Sequence, residues 1–321
     1  MNAPILEARE LKRYFSLGSG LFDRGGTVIK AVDAVSFKIN PGETLGLIGE
    51  SGCGKTTVAR LTLGLAKPTA GILLFNGVDV RSDNRDVYRE YRRSVQAVFQ
   101  DPQSSLNPRM RVSDIVAEPV EVNLNLGRKE TRARVLEVLN HVGIGADMAD
   151  RFPHQFSGGQ RQRIAIARAL AVQAKVVILD EPVASLDVSV RSQVLNLLRD
   201  LQEEFGLSYL LISHDLATSA YLCHQIAVMY LGRIVETGPA EEIYRAPIHP
   251  YTRALLEAAD IILSQTAGEE LDSAEIPSPI SPPQGCHFHP RCPRAMPVCS
   301  IEVPAARQAA PGHWVSCHLY S

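Results

Sequence analysis

Apolar and polar positions alternate along residues 31–39, and Pro41-Gly42 then turns the chain. The run 44–48 is mostly apolar and stops at Gly49, the pattern of a buried parallel strand. Residues 72–75 followed by Asn76-Gly77 predict one arm of a hairpin, because Asn-Gly accepts the positive φ angles of a tight turn. Residues 95–99 predict a strand that ends at Gln100. Helical spacing takes over beyond residue 101: residues 128–142 bring Val135, Leu136, Val138, Leu139 and Val142 near one another. Ser157 is placed to cap a helix running to about residue 171. Ser189 is placed to cap another, whose Val194, Leu195, Leu197, Leu198 and Leu201 face inward. Residues 176–179 and 209–212 predict buried strands that stop at Asp180-Glu181 and at Ser213-His214. A helix over 216–224 holds Cys223 as a core residue, and 226–230 and 233–235, joined through Leu231-Gly232, predict a closing hairpin.

Strands and helices alternating in this order argue for an α/β fold, a mainly parallel sheet covered on both faces, with a helical insert at about 101–170. One more helix is expected over 252–263. The Ser-, Pro- and Glu-rich stretch 264–284 reads as a linker, and a cysteine-rich tail follows it. No internal repeat is visible.

Composition changes this picture only by exclusion. In 321 residues, 45% are hydrophobic and 21% charged, which rules out a wholly disordered chain. Lys plus Arg number 33 against 35 Asp plus Glu, so nothing points to a nucleic-acid binder. No apolar run approaches the roughly 20 residues that span a bilayer. Residues 1–4 show no basic stretch leading into an apolar one. The expectation is a cytoplasmic protein that meets a membrane only through a partner.

Gly49-Glu50-Ser51-Gly52-Cys53-Gly54-Lys55-Thr56 fits a phosphate-binding loop, followed by Thr57 in the helix. Its glycines let successive backbone N–H groups face phosphate oxygens, and the following helix adds its positive end. Lys55 would reach the β- and γ-phosphates of a nucleotide, and the Thr56 hydroxyl would ligate Mg²⁺. In 176–181, four apolar residues lead to Asp180, placed to hold Mg²⁺ through water, and to Glu181, placed to deprotonate an attacking water. A carboxylate pair at a strand end also serves as a plain turn feature; the phosphate loop in the same chain favours the chemical role. With no Asn-Lys-x-Asp guanine reader present, the residues point to ATP hydrolysis.

Phe156-Ser157-Gly158-Gly159-Gln160-Arg161-Gln162-Arg163 resembles the signature motif of ATP-binding-cassette proteins. That resemblance implies a P-loop NTPase with a RecA-like sheet, an antiparallel β-subdomain and a helical insert. It also implies head-to-tail pairing of two cassettes, with Ser157, Gly158, Gly159 and Gln160 closing on the partner's ATP. By the same resemblance Phe15, with Tyr14 as the alternative, looks like the aromatic that stacks on adenine. Gln100 resembles the glutamine that touches Mg²⁺ and the attacking water, His214 the switch histidine, and Asp187 the aspartate of the interface loop. Two departures stand out: Phe156 replaces the usual Leu, and Ala184-Ser185 reverses the usual Ser-Ala order.

Glu50 and Cys53 in the loop, Gln100-Asp101-Pro102, Met229-Tyr230-Leu231-Gly232-Arg233, His249-Pro250-Tyr251-Thr252 and the approach to Cys286 resemble the dipeptide/oligopeptide importer ATPases, best the "F" type. This implies a cassette over 1–250 and an importer-type C-terminal extension over 251–321. It implies a second ATPase subunit, a different paralogue by family habit, two multi-span permease subunits and an extracytoplasmic substrate-binding protein. The location implied is the cytoplasmic face of the inner or plasma membrane. Rival readings are a soluble cassette ATPase acting on nucleic acid or ribosomes, a non-hydrolysing regulatory cassette, and an importer of glutathione or a nickel complex.

Four of the six cysteines fall in the last 36 residues: Cys286, Cys292, Cys299 and Cys317, separated by five, six and seventeen residues. Those gaps are not the short knuckles of ordinary zinc sites. Four thiolates suit tetrahedral Zn²⁺ or a [4Fe–4S] cluster, with His287, His289, His313 and His318 as alternative zinc ligands; the plain alternative is four small buried hydrophobes. The importer resemblance implies the iron–sulfur cluster. Cys53 is read as an unligated thiol.

Overall fold

The structure, a computed structural model, describes residues 3–17, 27–82, 84–264 and 277–320. Most of the linker expected at 264–284 lies outside these residues.

The chain opens with strands β1 (Leu6–Leu17), β2 (Thr27–Ile39) and β3 (Thr44–Ile48), then helix α1 (Lys55–Thr62). Strands β4 (Ala70–Phe75) and β5 (Val78–Asp79) form a hairpin in which Phe75 faces Val78. Asn76 and Gly77 take positive φ at its tip, as the Asn-Gly pair requires. Helix α2 (Arg85–Ser94), strand β6 (Val95–Val98) and helices α3 (Pro102–Ser105), α4 (Val112–Asn123), α5 (Arg128–His141) and α6 (Gly158–Leu170) follow. Next come β7 (Val176–Asp180), α7 (Val188–Phe205), β8 (Ser208–Ser213), α8 (Leu216–Leu222), β9 (Gln225–Tyr230) and β10 (Arg233–Pro239). Helices α9 (Ala240–Arg245) and α10 (Pro250–Ser264) and strands β11 (Arg307–Ala310) and β12 (His313–Val315) complete the described α-helices and strands.

Two compact units are interleaved along the chain. The first comprises 1–6, 39–44 and 74–212. In it β6, β7 and β8 run parallel, Val95 opposite Val176 and Val176 opposite Ser208. Apolar side chains fill both faces, so β7 buries Val176 to Leu179 and β8 is buried throughout. The insert helices α3 to α6 belong to this unit, and α5 and α6 keep the predicted bounds to within two residues. Val194, Leu195, Leu197, Leu198 and Leu201 of α7 are buried as expected. That helix starts earlier than the Ser189 cap implied: its N-cap is Asp187, whose extended φ and ψ end the preceding loop.

The second unit comprises 7–38, 45–73 and 213–321. There β3 runs parallel to β9, Leu45 opposite Gln225, while β10 returns antiparallel to β9 through Leu231-Gly232. Helix α8 ends at Leu222, so Cys223 is its C-cap rather than a helical residue; the thiol packs where a Cβ on Gly46 would stand. β12 pairs with β10 and β11 with β12, which adds two antiparallel strands absent from the sequence reading. The core of the unit gathers Ile48, Val228, Tyr230, Ile243, Tyr251 and Phe288.

Candidate functional site

Strand β3 is wholly buried and delivers the chain rigidly into the phosphate loop. Gly49, Gly52 and Gly54 take φ of 152°, 81° and 112°, outside the range of ordinary side chains. Space adds to the demand, since a Cβ on Gly49 would strike the Met229 carbonyl oxygen and one on Gly54 that of Ala31. Lys55 is buried and donates from Nζ to the carbonyl oxygens of Gly49 and Glu50 at 2.7 and 2.9 Å. Its Nζ also stands 3.7 Å from Cys53 Sγ; burial outweighs that charge and pushes the Cys53 thiol up. Helix α1 starts at Lys55 without a side-chain cap, and Ser51, Gly52 and Thr56 are exposed beside that terminus. Backbone amides and a helix end disposed in this way receive an anion.

The carboxylate pair lies in the other unit, at the end of β7. Glu181 holds φ at 49°, and its N–H donates to Ile212 O at 2.9 Å. Gln100, just past β6, donates from Nε2 to Glu181 Oε2 at 2.8 Å, which brings two of the predicted catalytic residues together. The Ser185 hydroxyl donates to Gln100 O at 3.4 Å, so the reversed Ala184-Ser185 order still anchors this loop. Asp180 is the last residue of β7 and is half-buried.

The signature motif starts α6 with a reciprocal cap. Ser157 Oγ accepts from Gln160 N–H, and Gln160 Oε1 accepts from Ser157 N–H. Gly158 and Gly159 leave room for Leu186 and Val190, and a Cβ on Gly159 would collide with the latter. Asp187, the exposed cap of α7, therefore sits in the loop packed on the signature.

His214 is exposed just beyond β8, in a bend fixed on both sides: Asp215 N–H donates to Ser213 Oγ, and that hydroxyl donates back to Asp215 O. The two candidate aromatics differ sharply. Tyr14 Oη donates to Asp33 Oδ1 at 2.5 Å, and burial together with that bond raises its hydroxyl to about 12. Asp33 is buried, which by itself would raise it, yet Tyr14 and a two-pronged bond from Arg233 hold it below its ordinary value. Phe15 is exposed, with the Arg13 guanidinium 4.5 Å over its ring.

Around the tail, the sequence reading missed the contacts that organise it. Glu236 is buried and its Oε1 accepts from Ile248 N–H and His313 Nε2, while Oε2 accepts from His249 N–H. Arg291 donates to both carboxylate oxygens of Glu50 at 2.9 and 3.0 Å. The only trace of Glu236 in the sequence is an acidic residue inside a strand; a pair such as Arg291 and Glu50, 241 residues apart, leaves none.

Among the described residues no group of three or more His, Cys, Asp or Glu is placed to hold a metal ion. The tail histidines offered as zinc ligands each have a ring nitrogen engaged: His287 with Leu231 O, His289 with Cys286 O, His313 with Glu236 and His318 with Glu302 O. Of the four sulfurs, Cys299 Sγ accepts the Met296 N–H at 3.5 Å, and burial pushes the Cys286, Cys292 and Cys317 thiols up. Burial raises the Cys286 thiol to about 11.

A glycine-built anion loop between a buried strand and a helix that starts at a buried lysine is the mark of the phosphate-loop class of nucleoside-triphosphatases. Residues 32–184 match the family described as ABC transporter, and residues 235–299 that described as Oligopeptide/dipeptide transporter, C-terminal region. The chain is 47% identical to the oligopeptide transport ATP-binding protein AppF of Bacillus subtilis (strain 168), over 99% of this chain and 98% of that protein. It is 46% identical to the dipeptide transport ATP-binding protein DppF of Haemophilus influenzae, over 98% and 97% respectively. Of solved structures, cbiO1 from Clostridium perfringens, part of an ABC transporter complex, superposes with a TM-score of 0.65 at 30% identity, covering 82% of this chain and 96% of that one. The dimeric cassette MJ0796, post-hydrolysis with ADP and Pi, gives 0.63 at 27% identity over 73% of this chain and 98% of that one. The chain belongs to the ATP-binding-cassette transporter ATPases, in the branch of the oligopeptide and dipeptide transport ATP-binding proteins. It is an ATPase.

Proposed function

We propose that the chain hydrolyses ATP to drive import of dipeptides or oligopeptides, as one half of a head-to-tail cassette pair. The observation that carries this reading is near full-length similarity to peptide-transport ATPases, extending through their C-terminal region. The 2.8 Å bond between Gln100 and Glu181 supports turnover rather than a regulatory cassette. Lys55 and the amides of 49–57 hold the phosphates. Glu181 takes a proton from the attacking water, which Gln100 orients, and His214 contacts the γ-phosphate. Thr56, Asp180 and Gln100 would hold Mg²⁺, which supplies charge neutralisation on the phosphates. Ser157, Gly158, Gly159 and Gln160 close on the partner's ATP, with Asp187 in the loop that crosses between cassettes. Phe15 stacks on adenine; its exposure, against the engaged hydroxyl of Tyr14, supports that choice.

Residues 1–250 form the cassette and 251–321 the importer-type extension in this reading. Its partners are a second, different ATPase subunit, two multi-span permeases and, through them, an extracytoplasmic binding protein. No helix among the described residues is long and apolar enough to cross a membrane, which fits peripheral attachment at the cytoplasmic face. For the tail, four cysteines within the last 36 residues and the likeness to the transporter C-terminal region support a [4Fe–4S] cluster, whose potential a hydrogen bond to sulfur such as that from Met296 N–H to Cys299 would tune. A lone Zn²⁺ would need all four sulfurs within about 2.3 Å of one point.

Affinity purification of the chain from gently solubilised native membranes tests the function. Recovery of two multi-span proteins and a second cassette, with ATPase activity stimulated by peptide-loaded binding protein, is the expected result. Recovery from the soluble fraction alone would favour the soluble-ATPase reading, and stimulation only by glutathione or a nickel complex would reassign the cargo.

A further inference from the structure

Glu50, the second residue of the phosphate loop, is clamped from beyond residue 250 by two side chains. Its backbone N–H donates to Tyr251 Oη at 2.9 Å, and its carboxylate receives Nη1 and Nη2 of Arg291 at 2.9 and 3.0 Å. This fork-to-carboxylate geometry fixes direction as well as distance. Both side chains are mostly withdrawn from solvent, at 11% exposure for Arg291 and 23% for Glu50. The pair is therefore not a solvated surface bridge of negligible worth.

The clamp acts on the part of the loop that binds. The Glu50 carbonyl accepts from Lys55 Nζ, so displacing Glu50 displaces an anchor of the phosphate-binding lysine. Three glycines at positive φ make the loop soft by itself, which leaves its shape to outside contacts. Arg291 in turn is set by the tail. It lies in the turn between Cys286 and Cys292, where His289 N–H donates to Cys286 O and Cys292 N–H to His289 O. Its guanidinium rests 5.9 Å from the Tyr230 ring and 6.0 Å from that of Phe288. Cys286 and Cys292 pack against the same core.

We propose that Arg291 is a positioning residue for the phosphate loop, through which the order of the cysteine-bearing tail and the affinity for MgATP are linked. The proposal rests on the reading of residues 49–57 as the ATP site. Because linkage is reciprocal, a tail that tightens MgATP binding is itself tightened by MgATP.

The test uses the full-length chain, with MgATP as the ligand. Arg291→Met is expected to weaken MgATP binding and raise KM about tenfold, with kcat held within about twofold. Arg291→Lys, which keeps the charge and loses the fork, recovers part of that affinity. Glu50→Gln should shift KM in the same direction, and the double variant should be no worse than the worse single one. In the unaltered chain, saturating MgATP should slow iodoacetamide labelling of Cys286 and Cys292, whether they are free or must first lose a bound cluster; Arg291→Met should abolish that protection. Unchanged KM, additive single effects, or labelling indifferent to MgATP would each overturn the proposal. If Arg291→Met does not fold, Arg291→Lys and Glu50→Gln carry the same comparison. Lys55→Ala separates the two readings: unchanged MgATP affinity there would remove the ATP site itself. Loss at Lys55 with none at Arg291 would remove only the coupling.

Discussion

Glu181 stores strain where the chemistry is expected. A left-handed φ of 49° costs a non-glycine residue about 1 kcal/mol or more, and the bonds to Ile212 O and from Gln100 hold it there. The carboxylate is thus aimed before any substrate arrives. Glu181→Gln should keep MgATP binding and lower turnover by at least about a hundredfold, read by equilibrium binding beside steady-state hydrolysis. Near-normal turnover would remove Glu181 as the base. His249 gives a second test. Burial lowers its pKa from 6.5 to about 4, while its Nδ1 accepts from Tyr251 N–H. Between those values the unfolded chain binds a proton that the folded chain refuses, so stability present above pH 6.5 is lost as pH falls toward 4. At 1.36 kcal/mol per unit the loss is on the order of 3 kcal/mol. Thermal melts over that range should show it, and His249→Asn should flatten the slope.

At the scale of elements, whatever is periodic or locally capped is legible in sequence. The apolar runs of β3, β7 and β8 name buried parallel strands, and Ser157 with Gln160 marks the start of α6 through a cap closed within four residues. Where two capping residues stand two apart, sequence does not choose between them: Asp187 ends the loop and Ser189 falls inside the helix. Strand β11 escapes because all four of its residues are exposed, and β12 because its buried–exposed–buried alternation lasts only three residues. Nor does pairing across hundreds of residues leave a local sign, as with Asp33 and Arg233 or Glu50 and Arg291. The phosphate loop, the carboxylate pair and the signature were readable because their chemistry sits in contiguous residues; the contacts that hold the loop in shape were not. The joint between β10, α10 and β12 belongs to that hidden class. Glu236→Gln would turn an amide N–H₂ toward backbone donors and remove the charge facing His313. We expect a loss of about 3 kcal/mol in urea unfolding.

For the molecule as a whole, the chain carries an ATPase cassette, and no helix among the described residues is long and apolar enough to cross a membrane. In the function proposed above, cargo selection belongs to the permease and binding-protein partners. Cargo is accordingly the least legible property in this sequence. The cysteine tail is legible in composition and not in spacing: the gaps of five, six and seventeen residues between its four cysteines match no short metal-binding knuckle.

Glu236 also limits what can be cut away. A chain stopped near residue 300 would lose His313 and with it β12, uncovering a carboxylate that is 1% exposed in the intact fold and still bonded to Ile248 and His249. Such a fragment would carry a half-satisfied anion and a bare strand edge on β10, two invitations to aggregate. The last twenty residues thus act as a keystone for the segment before them, and a trimmed cassette should fail in solubility before it fails in catalysis.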